Sequence, residues 1–413
     1  MTKDEMRAEI RRLALKAEKK TFFEVMAEQL KDYSCLAVYG AGNMGLRFVS
    51  EVRLHLPDIK IDCFLDRNAN EKPEYLGFPV YKPDDTRLNM DFREKATVVL
   101  ALFLIDSEYN ELTAELRKLG YKRFLDTIYV QYLRFLPCPP PSKHIELVDR
   151  SLSAREIENI LKAFDLMADE HSQEVFFNIF CYNFAFEYKI PSSRQIMEAY
   201  VGVDVPFRNK YRSFVDCGAY TGDTLEQLVK RHKVNHYFGF EPDRQNYAKL
   251  ACKANAMGEK IGQVLLMPLG LGNTNEFLRF DSRGDMSSRL DKDGSEIVQV
   301  VRLDDVLKGY HDLTIKMDIE GAETKALEGA KRIITETKPD LAICVYHKIS
   351  DFWRIPLILN ELAPEYIFYL RSHNTGTSVG MLGAMVDGVV LYATTVRLSS
   401  ARQAERIKEG NLK

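Results

Sequence analysis

Apolar positions along the chain fall into short unbroken runs, alternating with longer stretches at mixed three and four spacing, the pattern of buried strands separated by amphipathic helices. Near the amino terminus, Ile10, Leu13, Leu15, Phe22, Val25, Met26 and Leu30 recur between Lys, Arg and Glu. They predict a helix from Asp4 to about Leu30 whose apolar stripe docks on its own chain or, as the sharper alternative, on a second copy in a homodimer. Leu36-Ala37-Val38-Tyr39 reads as a buried strand running into Gly40-Ala41-Gly42-Asn43-Met44-Gly45, with a helix over 46–54 behind it. Residues 61–65 form a second expected strand ending on Asp66. A third covers 97–102, a helix over 107–119 stops at Gly120, and Phe124-Leu125 makes a last short strand.

Four prolines within 137–141 can continue neither helix nor sheet and mark a boundary. Beyond it, helices are expected over 154–167 and 171–186. The second is rich in aromatics (Phe176, Phe177, Phe180, Tyr182, Phe184, Phe186), the stripe of a packing surface. From Arg212 the alternation restarts, with strands over 214–216, 237–240, 264–267, 314–317 and 341–346 and a final antiparallel pair over 366–370 and 389–393. The charged tail after Val396 reads as peripheral. The expectation is an α/β protein with two Rossmann-like domains: an N-terminal helix at 1–32, a small nucleotide-binding-type domain at 33–136, a helical connector at 137–206 and a second α/β domain at 207–413.

Composition narrows the partners. At 413 residues the chain can bury two cores. With 57 basic and 60 acidic side chains, a net charge of −3 supplies no general field for nucleic acid or an anionic membrane surface. The seven cysteines show no Cys-x-x-Cys pair and sit largely in apolar runs, as small buried hydrophobes do. Met1 to Lys20 is densely charged, and no run approaches the ~20 apolar residues of a membrane helix. A cytoplasmic protein with no membrane span and no nucleic-acid partner is expected.

Two glycine turns carry candidate chemistry. Gly40, Gly42 and Gly45, with Asp66 at the end of the next strand, fit a dinucleotide fingerprint, in which the glycines permit a tight turn under a phosphate and the acid receives ribose hydroxyls. A nucleotide, dinucleotide or nucleotide sugar there stands level with a turn kept for packing, because the module lacks a second mononucleotide half and any hydride-transfer residue. In the second turn, Asp216 ends a strand and Gly218-Ala219-Tyr220-Thr221-Gly222 leads into a helix, with Asp223 as expected cap and Glu226 at capping-box spacing. Such a turn suits the methionine end of S-adenosylmethionine, with Asp216 as acceptor for its ammonium. Glu241, at the tip of the next strand, can receive both ribose hydroxyls, and Pro242 is expected to open the following helix.

The fourth strand of this half delivers Asp318, Glu320 and Glu323, and the fifth delivers His347. Carboxylates and a histidine at the carboxyl ends of parallel strands make a candidate acid–base group. A strand-end histidine bonded to a loop and a first-turn helix acid are the structural alternatives.

Together these segments resemble the FkbM-type methyltransferases, a branch of the class I fold. The resemblance rests on Val215-Asp216-Cys217-Gly218-Ala219-Tyr220-Thr221-Gly222-Asp223, Phe240-Glu241-Pro242, 301–307 (Val-Arg-Leu-Asp-Asp-Val-Leu) and 315–323 (Ile-Lys-Met-Asp-Ile-Glu-Gly-Ala-Glu), in order over 207–395. It implies a seven-stranded mixed sheet, bound S-adenosylmethionine and methyl transfer to a hydroxyl of a sugar, glycan or related small molecule. Asp318 or His347 would take the hydroxyl proton and Glu320 would orient the acceptor or the base. A Mg²⁺-assisted variant on Asp318, Glu320 and His347 is the mechanistic rival, although nothing in the spacing demands a metal. A non-catalytic double Rossmann protein and an NAD(P)-dependent oxidoreductase using the first turn are the functional rivals. Acceptor choice is expected from the connector, from 281–293 with Ser287-Ser288-Arg289, and from the loop 371–387.

Overall fold

A computed structural model describes residues 1–16, 30, 33–102, 106–125, 151–185, 199–201, 204–282, 288–290, 292–373 and 388–397. The proline boundary at 137–141, most of the loop 371–387 and the tail beyond 397 lie outside them. So do 17–29 of the expected first helix. Its described part, α1 (Lys3–Ala14), starts at a Thr2 capping box closed by Glu5. The buried stripe Met6, Ile10, Leu13 and Ala14 packs on α5 (Ala154–Asp165) and α6 (Glu170–Phe180), within the largest core of the chain. In this part the apolar face is therefore covered by the chain itself, and Arg7 and Arg11 clamp it by pairing at 3.0 Å with Asp165 and Glu158.

The first sheet contains β1 (Cys35–Tyr39), β2 (Cys63–Leu65), β3 (Glu74–Tyr75), β4 (Phe78–Tyr81), β5 (Ala96–Leu100) and β6 (Arg123–Leu125), in the order β3-β4-β2-β1-β5-β6. All pairings are parallel except the β3–β4 hairpin. Its turn residues Leu76 and Gly77 both take positive φ, as a two-residue hairpin requires. Alternate residues of β1 face different cores, Leu36 and Val38 one and Ala37 and Tyr39 the other, so both sheet faces are covered. The flanking helices are α2 (Asn43–His55), α3 (Met90–Lys95) and α4 (Asp106–Lys118).

The second sheet has seven strands: β7 (Ser213–Cys217), β8 (Val234–Phe240), β9 (Ile261–Met267), β14 (Leu313–Met317), β15 (Asp340–Cys344), β16 (Ile367–Ser372) and β17 (Val389–Thr394). Their order is β16-β17-β15-β14-β7-β8-β9, with β17 antiparallel to both its neighbours and the remaining pairs parallel. From β7 the chain runs outward through β8 and β9, then crosses to β14 on the other side. The crevice above the carboxyl ends of β7 and β14 is thus a topological switch point, where open α/β sheets bind ligands. A four-stranded sheet of β10 (Gly270–Leu271), β11 (Glu276–Asp281), β12 (Arg289–Leu290) and β13 (Glu296–Val301) was not apparent from the sequence pattern and stands beside this crevice.

The aromatic stripe of α6 is core. Phe176 meets Phe352 edge-on at 4.8 Å, and Phe184, in the π turn that follows α6, meets Trp353 at 6.0 Å. Phe186 lies outside the described residues. Two helix starts differ from expectation. Helix α7 (Asp223–Arg231) is preceded by Gly222 at φ 79°, and Asp223 is already its first residue without a side-chain cap bond. Glu226 reaches Lys230 at 2.9 Å and Lys253 at 3.5 Å instead of closing a capping box. Helix α8 (Arg244–Met257) is capped by Asp243, which accepts from the amides of Gln245 and Asn246, so Pro242 precedes the cap rather than opening the helix. Among the described residues no helix is long and apolar enough to cross a membrane.

Candidate active site at the carboxyl ends of the large sheet

Beyond β7 the chain turns sharply at Gly218 (φ 79°), and the amides of Gly218 and Ala219 both donate at 3.0 Å to the Phe240 carbonyl at the end of β8. The next residue, Tyr220, is held in the left-handed region at φ 48°, a conformation that costs a non-glycine residue about 1–3 kcal/mol and persists where surroundings enforce it. Here the enforcing partner is Glu241. One of its oxygens accepts the Tyr220 amide at 2.8 Å and the other accepts the Asp243 amide at 2.9 Å. Burial pushes the Glu241 carboxyl up to about 7, against the pull of those two amides. Each oxygen keeps a further lone pair for a hydroxyl donor.

On the other side of the switch point, the amide of Asp318 bonds the Cys217 carbonyl at 3.0 Å, which ties the end of β14 to β7. The Asp318 carboxylate accepts from the hydroxyls of Tyr200 at 3.0 Å and Tyr346 at 3.2 Å. Burial opposes its charge, yet Lys316, His347 and the Tyr200 hydroxyl outweigh that and hold it below the usual carboxylate range. Glu320 (φ 52°) and Gly321 (φ 90°) turn the chain back, so that the Glu320 carboxylate comes within 3.5 Å of His347 Nε2. Asp318 lies at the same distance from that nitrogen. The opposite ring nitrogen, Nδ1, is 2.8 Å from the wholly buried Glu323, which also receives the Ile319 amide at 3.0 Å. Burial pulls the imidazole down, but the facing carboxylates of Glu320, Glu323 and Asp318 prevail and raise it to about 10.

These groups open into one cavity of about 580 Å³. Gly218, Tyr220 and Asp223 line it from the turn, Glu241, Pro242 and Asn246 from the start of α8, and Lys316, Asp318, Glu320 and His347 from the β14 and β15 ends. Residues 216–375 match the model of the methyltransferase FkbM domain. This segment is an FkbM methyltransferase domain. In fold, the chain is similar to the crystal structure of methyltransferase FkbM from Methylobacillus flagellatus KT at 2.20 Å, with a TM-score of 0.67 and 20% identity over 95% of this chain and 100% of that one. At that identity the likeness is one of fold. No curated protein matches the chain.

Within the FkbM domain, one expected contact changes. Asp216 has no exposed surface; Lys316 pairs with it at 2.9 Å and the Tyr237 hydroxyl donates to it at 2.7 Å. Its carboxylate is consumed in stabilising a buried lysine, which is held charged by Asp216 and Asp318 although burial opposes it. Lys316, which also donates to the Gly218 carbonyl, stands in the cavity wall where Asp216 was expected. Ala219 is buried in the core below the turn and Gly222 precedes α7, so both shape the turn from beneath, while Thr221 is partly exposed on it. Lys316, Tyr200, Tyr346 and Asn246 are additions. A lysine inside an apolar strand was a visible signal for the first; Tyr200 carried none. Ser288 and Arg289 do line the cavity, and Ser288 donates to the Asp243 cap at 2.9 Å, whereas Ser287 lies outside the described residues.

The amino-terminal turn divides into packing and open positions. A Cβ on Gly40 (φ 109°) would meet the Ala101 carbonyl at 2.8 Å, and one on Gly45 would meet the Gly40 carbonyl at 2.3 Å. Gly42 has nothing within 4 Å of such a Cβ. Asp66 accepts the Ala41 amide at 2.9 Å, which ties the acid to the turn itself.

Proposed function

We propose that the chain transfers the methyl group of S-adenosylmethionine to a hydroxyl oxygen of a sugar, glycan or related small molecule. The observation that carries this reading is that the glycine turn with Glu241 and the carboxylate–histidine group open on the same cavity, so a donor on the first would face an acceptor on the second. Glu241 receives the ribose hydroxyls, and the turn from Gly218 to Tyr220 lies under the methionine end, whose carboxylate is met by Lys316. Transfer from a sulfonium is an in-line displacement, so much of the rate comes from holding oxygen, carbon and sulfur collinear. Asp318, ionised and fixed by two tyrosine hydroxyls, is the acceptor of the hydroxyl proton that the geometry favours, with His347 and Glu320 orienting the sugar hydroxyl.

The test has two parts. Titration of the full chain with S-adenosylhomocysteine is expected to show one site of micromolar affinity. Labelled S-adenosylmethionine offered with a panel of monosaccharides, oligosaccharides and polyols is then expected to label one class of acceptor. Failure of both donor and product to bind would reject the reading outright.

A further inference from the structure

We infer that Asp318, Glu320 and His347 form a binding site for a divalent cation of the Mn²⁺ type, which holds the acceptor hydroxyl as its alkoxide. This deepens the proposed function and rests on that reading for the hydroxyl alone; the cation site stands on its own geometry. His347 Nε2 and one carboxylate oxygen each from Asp318 and Glu320 lie within 4.8 Å of one another, with the nitrogen 3.5 Å from either oxygen. Ligands in adjacent positions around an ion at about 2.1 Å sit about 3 Å apart, so bringing the nitrogen to that distance from either oxygen needs shifts of about half an ångström.

Two further features separate this set from an ordinary acidic surface. The His347 side chain is 8% exposed and its Nε2, wholly buried, has no hydrogen-bond partner. A buried polar atom of this kind requires an explanation. In addition, Nδ1 is engaged at 2.8 Å by the buried Glu323. A carboxylate accepts only, so Nδ1 keeps its proton in either state of the ring, and Nε2, 3.5 Å from an oxygen of Asp318 and of Glu320, is the nitrogen at which an ion can replace a proton. The nitrogen and the two carboxylates can face one another only around positive charge, which either the Nε2 proton or an ion in its place supplies. A carboxylate behind the distal nitrogen is also the usual outer support of a metal-binding histidine.

The ligand set indicates which ion. One imidazole and two carboxylates suit Mn²⁺ better than Mg²⁺, which prefers an all-oxygen octahedral shell. Three protein ligands on one side leave positions facing the cavity for water or an acceptor oxygen. In the step, the acceptor O–H bond would break with its proton passing to the Asp318 carboxylate, while the ion would hold the alkoxide. The new O–CH₃ bond forms as the S–CH₃ bond breaks, and sulfur keeps the electron pair as S-adenosylhomocysteine leaves.

The experiment is Mn²⁺ binding to the full chain, followed by loss of the free-ion electron paramagnetic resonance signal. One ion per chain is expected, with affinity lowered about tenfold to a hundredfold in Glu323→Gln and more in His347→Ala and Glu320→Gln. Glu320→Gln, on a partly exposed side chain, keeps the test open if His347→Ala fails to fold. Wild-type protein that binds S-adenosylhomocysteine but not Mn²⁺, or Mn²⁺ affinity indifferent to all three substitutions, overturns the inference. Mn²⁺ bound at these residues by a chain with no affinity for S-adenosylhomocysteine would keep the cation site and remove the proposed methyl donor.

Discussion

A Cβ on Gly218 would sit 1.9 Å from the carbonyl oxygen of Asp318, so the turn that cradles the proposed donor and the strand end that carries the carboxylate are in direct backbone contact. Gly218 also holds φ at 79°, so alanine there meets both a clash and an unfavourable backbone conformation. Gly218→Ala is expected to destabilise the chain by at least about 2 kcal/mol and to displace Asp318. Urea unfolding and S-adenosylhomocysteine titration read the two effects. A variant within about 0.5 kcal/mol of wild type with unchanged affinity would show that the two loops are not coupled.

The amino-terminal turn permits a sharper contrast between neighbours. Gly45→Ala forces a methyl against the Gly40 carbonyl at 2.3 Å, whereas Gly42→Ala meets open space in an extended backbone that any residue adopts. The first should cost about 1–3 kcal/mol or more and the second less than about 0.5. If a nucleotide occupies this turn, Gly42→Ala is the variant that weakens it, because the added methyl stands where a phosphate would approach. Equal destabilisation by both substitutions contradicts the division into packing and open positions. Calorimetric titration of wild type and Gly42→Ala with NAD, NADP and sugar nucleotides reads the binding side.

Most of the two large sheets was legible because their central strands are buried on both faces and read as continuous apolar runs, as in Ala37-Val38-Tyr39 or Leu341-Ala342-Ile343. Strands of two residues carry no such signal. Glu74–Tyr75 and Gly270–Leu271 are defined by the partners they pair with, the first across a two-residue hairpin and the second with Val300 and Val301, far along the chain. The site followed the same rule. Glu241, Asp318, Glu320 and His347 stand at strand ends that a single-strand pattern locates. The role of Asp216 depended on register: Lys316 is its cross-strand partner on β14, 100 residues away, and only the β7–β14 pairing makes that neutralisation visible. Gly222 displaced Asp223 as the residue before α7 for a local reason, since the turn requires positive φ there and an acid offers no advantage.

Connector and catalytic half are joined by a buried charge group. Arg371, 1% exposed on β16, pairs at 2.7 Å with Asp169, the cap of α6, and at 2.8 Å with Asp204. Removing the guanidinium leaves Asp169 buried and uncompensated, so Arg371→Met is expected to cost about 3–5 kcal/mol, and Asp169→Asn less. Asp169 is held below its ordinary range because Arg371 and Ser172 outweigh its burial. Its contribution is therefore present above the unfolded carboxylate value and is lost as the pH falls through the lower, folded one. Denaturation of wild type and Arg371→Met measures this; a cost below about 1 kcal/mol would show the group to be replaceable.

Glu241 titrates in the opposite sense. Its folded value of about 7 lies above the ordinary value of 4.5, because burial outweighs the two backbone amides that it accepts. In the free protein its contribution to stability is thus fully present below about pH 4.5 and is lost as the pH rises through about 7. In the proposed donor site ribose hydroxyls would donate to the ionised carboxylate, so ligand affinity is expected to run the other way. The affinity for S-adenosylhomocysteine is expected to be level above about pH 7 and to fall by up to about tenfold per unit below it. In Glu241→Gln the carboxylate is replaced by an amide that cannot titrate and that sets an N–H donor against the Tyr220 or Asp243 amide. Affinity at about pH 8 should drop at least about tenfold, and the dependence on pH should disappear. Calorimetric titrations from about pH 5.5 to 8.5 on both proteins measure this. A level wild-type profile, or the same slope in the glutamine variant, would place the ribose elsewhere in the cavity and leave Glu241 as the support of the strained Tyr220 turn.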